Sequence, residues 1–437
     1  MPDESIDDFL NWIHDKKNIA LKYNVKSSNF VRDAILSIEF LSIDDKETFT
    51  LRCPSSKREN KNFLRIVRKS ILELDEKNII IYGLKDFLNF IPGNFTNISQ
   101  IFDIQLLESM AHGTKHDDSC PNIDEYSKIL KNIVKSINDT QTDFYHKILL
   151  PSVFAYSKME YNGLPTSFGH PLYSYYDLNG TVSGRLTNNS FNDDRFVNPL
   201  NMSKVDRKII QAPPGFELII ADYNAMEMRV LACIADEKNL IERFEEEEDV
   251  YISVGQRIFG LREIDSAKRQ AVKDLCFLII YGGTEFGFSK QQDCSVEEAR
   301  MMIKRFYQMF PGIESWSLQT QIDIIEKGFV ESIFGRRRYL DMEDGPAALR
   351  QGQNFTIQSP TNDIVINALL DLDSSVLSNS SVLMHIHDSL VVLSPIEKIN
   401  GNVAIMKKIM RNPSKIKDFG INNLMLAPVF ICAQAWE

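Results

Sequence analysis

The chain has 437 residues, 43% of them hydrophobic and 25% charged, with a formal net charge of −11. That apolar content supplies more than one core and suits two or three domains. Its longest apolar runs, such as Leu218 to Ala221 and Leu390 to Leu393, fall far short of the roughly 20 residues that cross a bilayer, and the start from Met1 to Leu10 is acidic, unlike a secretory signal. The six cysteines (Cys53, Cys120, Cys233, Cys276, Cys294 and Cys432) form no CxxC pair and no cluster at zinc spacing. An intracellular, cytoplasmic protein with no membrane span is expected. Net acidity by itself argues against a nucleic-acid binder. The local pattern is different: acid gathers at Glu245 to Asp249, while base gathers at Lys268, Arg269 and Lys273 and again at Arg336 to Arg338.

Taken in order, the first 145 residues alternate β-like runs (Ala34 to Ile38, Asn78 to Tyr82) with a helical stretch (Asn62 to Leu74), which predicts a small α/β or α+β domain ending near Thr140 to Leu150. Next, Leu218-Ile219-Ile220-Ala221-Asp222 reads as a buried strand ending in a carboxylate. Met226, Val230, Cys233 and Ile234 then recur at helical spacing, so a strand feeds an amphipathic helix with Asp222 at the junction. In the segment from Lys268 to Gly282, the residues Arg269, Lys273, Phe277 and Tyr281 recur every four positions and share one helical stripe. Two cations followed by two aromatics suit a nucleoside triphosphate, phosphates at one end and base at the other. Arg350, Asn354 and Gln358 repeat the spacing of four on a polar face that can read minor-groove acceptors. Finally, Val382 to Ile386 and Leu390 to Leu393 flank His387-Asp388-Ser389, the pattern of a hairpin with a carboxylate at its tip. Asp222 and Asp388 on neighbouring strands can hold two Mg²⁺ ions about 3.5–4 Å apart. For any one of these features the plainer reading is a turn aspartate, a helix cap or a solvated basic helix end; it is their combination that points to chemistry.

Asp222 to Arg229 resembles motif A of the family A, DNA polymerase I-like polymerases, Arg269 to Gly282 resembles motif B, and His387-Asp388 resembles motif C, in the same order and spacing. Thr181 to Leu186, Phe310-Pro311, the segments Gly328 to Glu331 and Phe334 to Arg338, and the closing stretch Ala427 to Trp436 are similar to further landmarks, so that the resemblance covers roughly residues 150 to 437. It implies an α+β right-hand polymerase domain over residues 146–437, with palm 146–228 and 340–437 around an antiparallel sheet and fingers 229–339. It further implies that Asp222 and Asp388, with the backbone carbonyl of Tyr223, bind two Mg²⁺; that Arg269 and Lys273 hold the incoming dNTP; and that Phe277 and Tyr281 frame the nascent base pair. Glu227 stands where the family has a steric gate against a ribose 2′-hydroxyl. Arg185, Asn198, Asn201, Arg350, Asn354, Gln358 and His387 stand at positions that contact primer-template DNA.

Three departures qualify what is expected. Ser389 replaces the usual glutamate of motif C, as in single-subunit RNA polymerases. Lys158 to Gly163 resembles the entry to the palm, and only a short segment separates Gly163 from Gly184 where the family inserts a helical thumb, so the thumb is expected to be reduced or absent and a protein partner to supply grip or processivity. Residues 1–145 resemble an RNase H-like 3′–5′ exonuclease domain in which Leu36-Ser37-Ile38-Glu39 stands for Asp-x-Glu, Ile101 to Leu107 echoes a later segment, and Asp143 matches the last carboxylate; with Ser37 in place of the first aspartate, proofreading is not expected. The leading expectation is a DNA-templated DNA polymerase of a phage, plasmid or other small replicon. The alternatives are an RNA polymerase-like enzyme and a non-catalytic subunit that binds DNA or a partner.

Overall fold

The computed structural model describes residues 6–25, 35–52, 74, 77–90, 100–113, 120–188, 193–375, 377 and 379–436; most of the helical stretch expected between Asn62 and Leu74 lies outside them. Near the N-terminus, β1 (Asn18–Val25), β2 (Ile35–Ser42), β3 (Thr48–Arg52), β4 (Asn78–Ile81) and β5 (Ile101–Asp103) form one sheet in the order β3-β2-β1-β4-β5. The first three strands are antiparallel, and β4 and β5 continue the sheet in parallel. Ile19, Ala20 and Leu21 are buried in succession, as a central strand covered on both faces requires. Ser37 and Glu39 lie on β2, where both accept hydrogen bonds from the Asn24 amide of β1, at 3.0 and 2.9 Å. Asp103 ends β5 as the cap of the helix Ile104–His112, accepting from the backbone N–H groups of Gly83, Leu84 and Gln105. Asp143 is exposed and pairs with Lys147 at 2.9 Å.

The rest of the chain is built around a second sheet. Its members come from β6 (Phe216–Tyr223) and, after the hairpin of β7 (Phe329–Glu331) and β8 (Arg337–Tyr339), from β9 (Ser381–Ile386), β10 (Ser389–Pro395) and β11 (Pro428–Ala433). The order is β11-β6-β10-β9, antiparallel throughout. Helices between Met226 and Lys327 pack on one another and on the helix Gly345–Ser374, which is about 45 Å long at 1.5 Å per residue and packs against β9 and β10. One apolar core runs from Phe9 and Ile13 through the first sheet into the residues around the second. A buried ion pair reinforces that junction: Lys85 donates to Glu160 at 2.9 and 3.1 Å, and Glu160 also accepts the backbone N–H of Tyr176 at 2.6 Å. Between Asn162 and Pro199 the described residues contain no α-helix; the segment folds back through isolated bridges such as Leu164 to Leu172 and Asp177 to Thr187.

The run Arg336 to Arg338 is not the basic surface its composition suggests. Arg336 is 2% exposed and Asp363 is 0% exposed, and three hydrogen bonds of 3.1 Å join them. Arg337 is held by Glu331 at 2.7 Å and by the Ser136 carbonyl, and Arg338 donates to Gln351. Two of the three charges are therefore met by carboxylates, Asp363 and Glu331, and the third donates to the neutral Gln351 amide. The Arg336 pair also shapes the turn at Gly184. There φ is +78°, a Cβ would sit 2.7 Å from the guanidinium carbon, and Asn362 donates to the Gly184 carbonyl at 2.8 Å. Removing one partner of such a pair leaves an uncompensated buried charge. Asp363→Ala is therefore expected to destabilise the fold by about 3–5 kcal/mol, measured by urea unfolding; a loss below about 1 kcal/mol would show that Arg336 finds water or another partner.

Candidate active site

Asp222 is the penultimate residue of β6, and the register pairs it with Ser389 of β10. His387 and Asp388 form the two-residue connection between β9 and β10, with His387 at φ +51°. The hairpin with a carboxylate at its tip is thus present, and its tip abuts the end of β6: the Tyr223 N–H donates to the Asp388 carbonyl at 3.2 Å. The Ser389 hydroxyl donates to the Asp222 carboxylate, a contact that follows from the pairing of β10 with β6 and that the reading of motif C alone does not contain. The Tyr223 ring is buried with its hydroxyl bonded to the Met410 carbonyl at 2.8 Å, so only its backbone faces the site chemistry.

A cavity of about 330 Å³ opens over these residues, lined by both aspartates, Glu227, Arg185, Tyr251 and the stripe Arg269, Lys273, Phe277 and Tyr281. The stripe lies on the helix Ser266–Ile280, whose opposite face buries Val272, Leu275, Cys276 and Ile279, with Tyr281 at its C-cap. Asp265 caps its start by accepting the Lys268 N–H at 2.8 Å. Phe277 and Tyr281 have ring centroids 5.8 Å apart, and the Lys273 ammonium lies 5.8 Å from the Phe277 ring. Arg269 is held at the rim by Asp249 at 2.8 Å, with its guanidinium 5.3 Å from the Tyr251 ring. Asp249 and Tyr251 have no periodic signal in the sequence; they reach the site only because the helix Val250–Phe259 packs against Ser266–Ile280.

Glu227 follows the turn at Asn224-Ala225 and is 5% exposed. Arg185 pairs with it at 2.7 Å and the Tyr281 hydroxyl donates to it at 3.2 Å. Burial raises its carboxyl above the ordinary range, and the Arg185 charge and the Tyr281 bond oppose that rise. Burial likewise pushes Asp388 up to about 6, reinforced by the carboxylates of Glu227 and Asp222 and opposed by Arg185. Three carboxylates, Asp222, Glu227 and Asp388, thus share the cavity with three cations, Arg185, Arg269 and Lys273.

The polar residues expected to face DNA are dispersed. Arg350, Asn354 and Gln358 keep to one exposed to half-buried face of the helix Gly345–Ser374, whereas Gln353 on the next face is buried and bonds Ser317 and the Ile279 carbonyl. Asn198 uses its side chain to accept the Leu200 N–H at 3.1 Å, capping a short turn, and Asn201 is exposed beside it. The short turn Pro199–Asn201 packs beside β9, which brings it near the hairpin tip. Arg185, expected among the DNA contacts, lies in the cavity against Glu227.

Comparison with known proteins gives the arrangement a family. The chain is similar to the thermostable DNA polymerase I of Thermus aquaticus, 29% identical over 248 residues that cover 55% of this chain and 30% of the relative. It is also similar to DNA polymerase I of Chloroflexus aurantiacus, 28% identical over 251 residues covering 55% and 26%, and to that of Deinococcus radiodurans, 29% identical over 255 residues covering 56% and 27%. The chain thus spans less than a third of the length of these relatives. In fold it resembles the POL domain of Pol1 from M. smegmatis, solved in complex with DNA primer-template and dNTP, with a TM-score of 0.82 at 14% identity, covering 100% of this chain and 98% of that one. The family model described as DNA polymerase family A matches residues 105–422, from the helix after β5 to the loop before β11, and the chain belongs to that family.

Proposed function

We propose that this protein is a DNA-templated DNA polymerase that adds deoxynucleotides to a primer 3′ end, and the observation that carries this reading is the single cavity that brings Asp222 and Asp388 together with Arg269, Lys273, Phe277 and Tyr281. Family A DNA polymerases generally use divalent metal ions. The donor set fits two Mg²⁺: oxygen ligands from Asp222, Asp388 and the Tyr223 backbone suit a hard cation, and such a cation would offset the burial and the neighbouring carboxylates that raise Asp388. When bound, the ions supply activation of the primer hydroxyl and neutralisation of charge on the leaving pyrophosphate. The chain's own residues do the rest. Arg269 exchanges its Asp249 partner for the triphosphate, Lys273 adds a second charge-assisted contact, and Phe277 and Tyr281 present ring faces to the base. Glu227, fixed by Arg185 and Tyr281, fills the space beside the sugar that a 2′-hydroxyl would need.

The division that goes with this reading is residues 1–145 as an exonuclease-like unit without proofreading chemistry, and 146–437 as polymerase, with palm 146–228 and 340–437 and fingers 229–339. Primer-template DNA is bound by Arg350, Asn354 and Gln358, with Asn198 and Asn201 against the template and His387 by the primer terminus. In this reading residues 163–188, which fold back through isolated bridges, stand in place of the family's long helical thumb. A partner that supplies grip would suit a cytoplasmic enzyme of a small replicon.

Asp222→Asn and Asp388→Asn should each lower primer extension about a thousandfold or more, the loss that follows when a metal site cannot stabilise transition-state charge; extension near the wild-type rate in either variant, with the fold intact, would refute the reading. Glu227→Ala should lower the preference for dNTP over NTP by about tenfold, scored by extension with separate pools. Unchanged discrimination would make Glu227 structural, and a wild type that prefers NTP would favour the RNA polymerase-like alternative suggested by Ser389. Under an excess of trap DNA the isolated chain should add only a few nucleotides per encounter, because fewer phosphate contacts weaken binding to the duplex. Long products from the chain alone would show that another segment closes over the DNA.

A further inference from the structure

The site depends on a turn that is conformationally costly. His387 holds φ +51°, a left-handed value that a non-glycine residue keeps only where its surroundings enforce it. Asp388, the next residue, has its own carbonyl fixed by the Tyr223 N–H at 3.2 Å. The carbonyl before it, that of His387, accepts from His385 Nε2 at 2.9 Å. His385 is 0% exposed on β9, and its Nδ1 lies 2.6 Å from the hydroxyl of Tyr156, also 0% exposed, on the helix Leu150–Asn162. The two rings stack with centroids 6.0 Å apart and 17° between planes.

The hydrogen positions follow from the partners. A carbonyl oxygen can only accept, so Nε2 must carry a proton. Burial draws His385 down to about 4, so the ring is neutral at working pH and Nδ1 is left as an acceptor. Tyr156 therefore donates to Nδ1, and His385 donates to His387. Neither Tyr156 nor His385 reaches the cavity lining, and neither belongs to the polymerase motifs read from the sequence.

We propose that Tyr156 and His385 are positioning residues of the polymerase site: the phenol, donating to Nδ1, holds the imidazole in the orientation from which its Nε2–H clamps the His387 carbonyl and thereby fixes the peptide that presents Asp388 to its cations. This inference rests on the polymerase reading above. Loss of the phenol hydroxyl leaves Nδ1 a buried acceptor without a donor, so the ring loses one of its two anchors and the Nε2–H bond to the His387 carbonyl that holds the turn weakens.

The test uses the full chain, Tyr156→Phe, His385→Gln and His385→Leu, with three readouts. Two-bond ¹⁵N–¹H spectra of imidazole-labelled protein should report His385 as the Nε2–H tautomer in wild type, with the Nε2–H resonance shifted and its exchange with solvent faster in Tyr156→Phe. Mn²⁺ binding, followed by electron paramagnetic resonance of the free ion, should weaken about tenfold in Tyr156→Phe and in His385→Leu. The maximal rate of single-nucleotide extension should fall by a similar factor, while the KM for dNTP stays within about twofold. His385→Gln, whose amide keeps a donor for the His387 carbonyl whichever state Tyr156 is in, should recover most of what His385→Leu loses. Wild-type Mn²⁺ affinity and rate in Tyr156→Phe overturn the proposal. Should Tyr156→Phe fail to fold, equal behaviour of the Gln and Leu variants overturns it instead. A wild-type chain that extends no primer defeats the polymerase reading alone, since the tautomer and Mn²⁺ measurements still decide the positioning role.

Discussion

The pairing of β6 with β10 is the constraint on which the rest depends. Side chains alternate along a strand, so a slip of one residue would turn Asp222 to the opposite face and move its neighbours with it. Leu218, Ile219 and Ala221 on one strand and Leu390, Val391 and Val392 on the other are buried, which fixes both strands within the core. With Ser389 opposite Asp222, the hairpin tip has one place to go, and the two acidic residues arrive at the same end of the sheet from opposite ends of the second half of the chain.

Charge is used locally in a protein whose overall balance is acidic. Arg185, Arg269 and Lys273 converge on the cavity, each near a carboxylate or an aromatic ring that holds it at a definite position. The three successive arginines of β8 and the turn before it, by contrast, are consumed by Asp363, Glu331 and Gln351. Density of like charge in sequence is thus a poor guide to field in space, because a buried arginine bonded to a buried aspartate contributes almost nothing outside the protein.

What was legible in the sequence was local. The stripe Arg269, Lys273, Phe277 and Tyr281 is a periodicity of one helix, and the carboxylate between two short apolar runs is a property of one hairpin; both are set by spacing, and both are found as read. What was not legible joins residues far apart. Arg336 meets Asp363, Arg185 meets Glu227 rather than facing open groove, Asp249 meets Arg269, and Tyr156 meets His385 across most of the chain; no periodicity encodes such meetings, which depend on how helices pack on the second sheet. The same reason explains Ser37 and Glu39: an S-x-E string looks like a ligand pair in one dimension, whereas on β2 its polar atoms are already engaged by Asn24.

The junction between the two sheets has a consequence for how the molecule can change. Lys85 lies on the N-terminal side and Glu160 on the helix that opens the polymerase half, and both are almost fully buried. Were the first unit lost, Glu160 would keep its carboxylate in an apolar setting with the cation gone, and the core face that Leu88 and Leu107 now cover would meet water. The N-terminal unit therefore acts as a foundation for the surface it seals, and damage to its interior would be felt along the helix Leu150–Asn162.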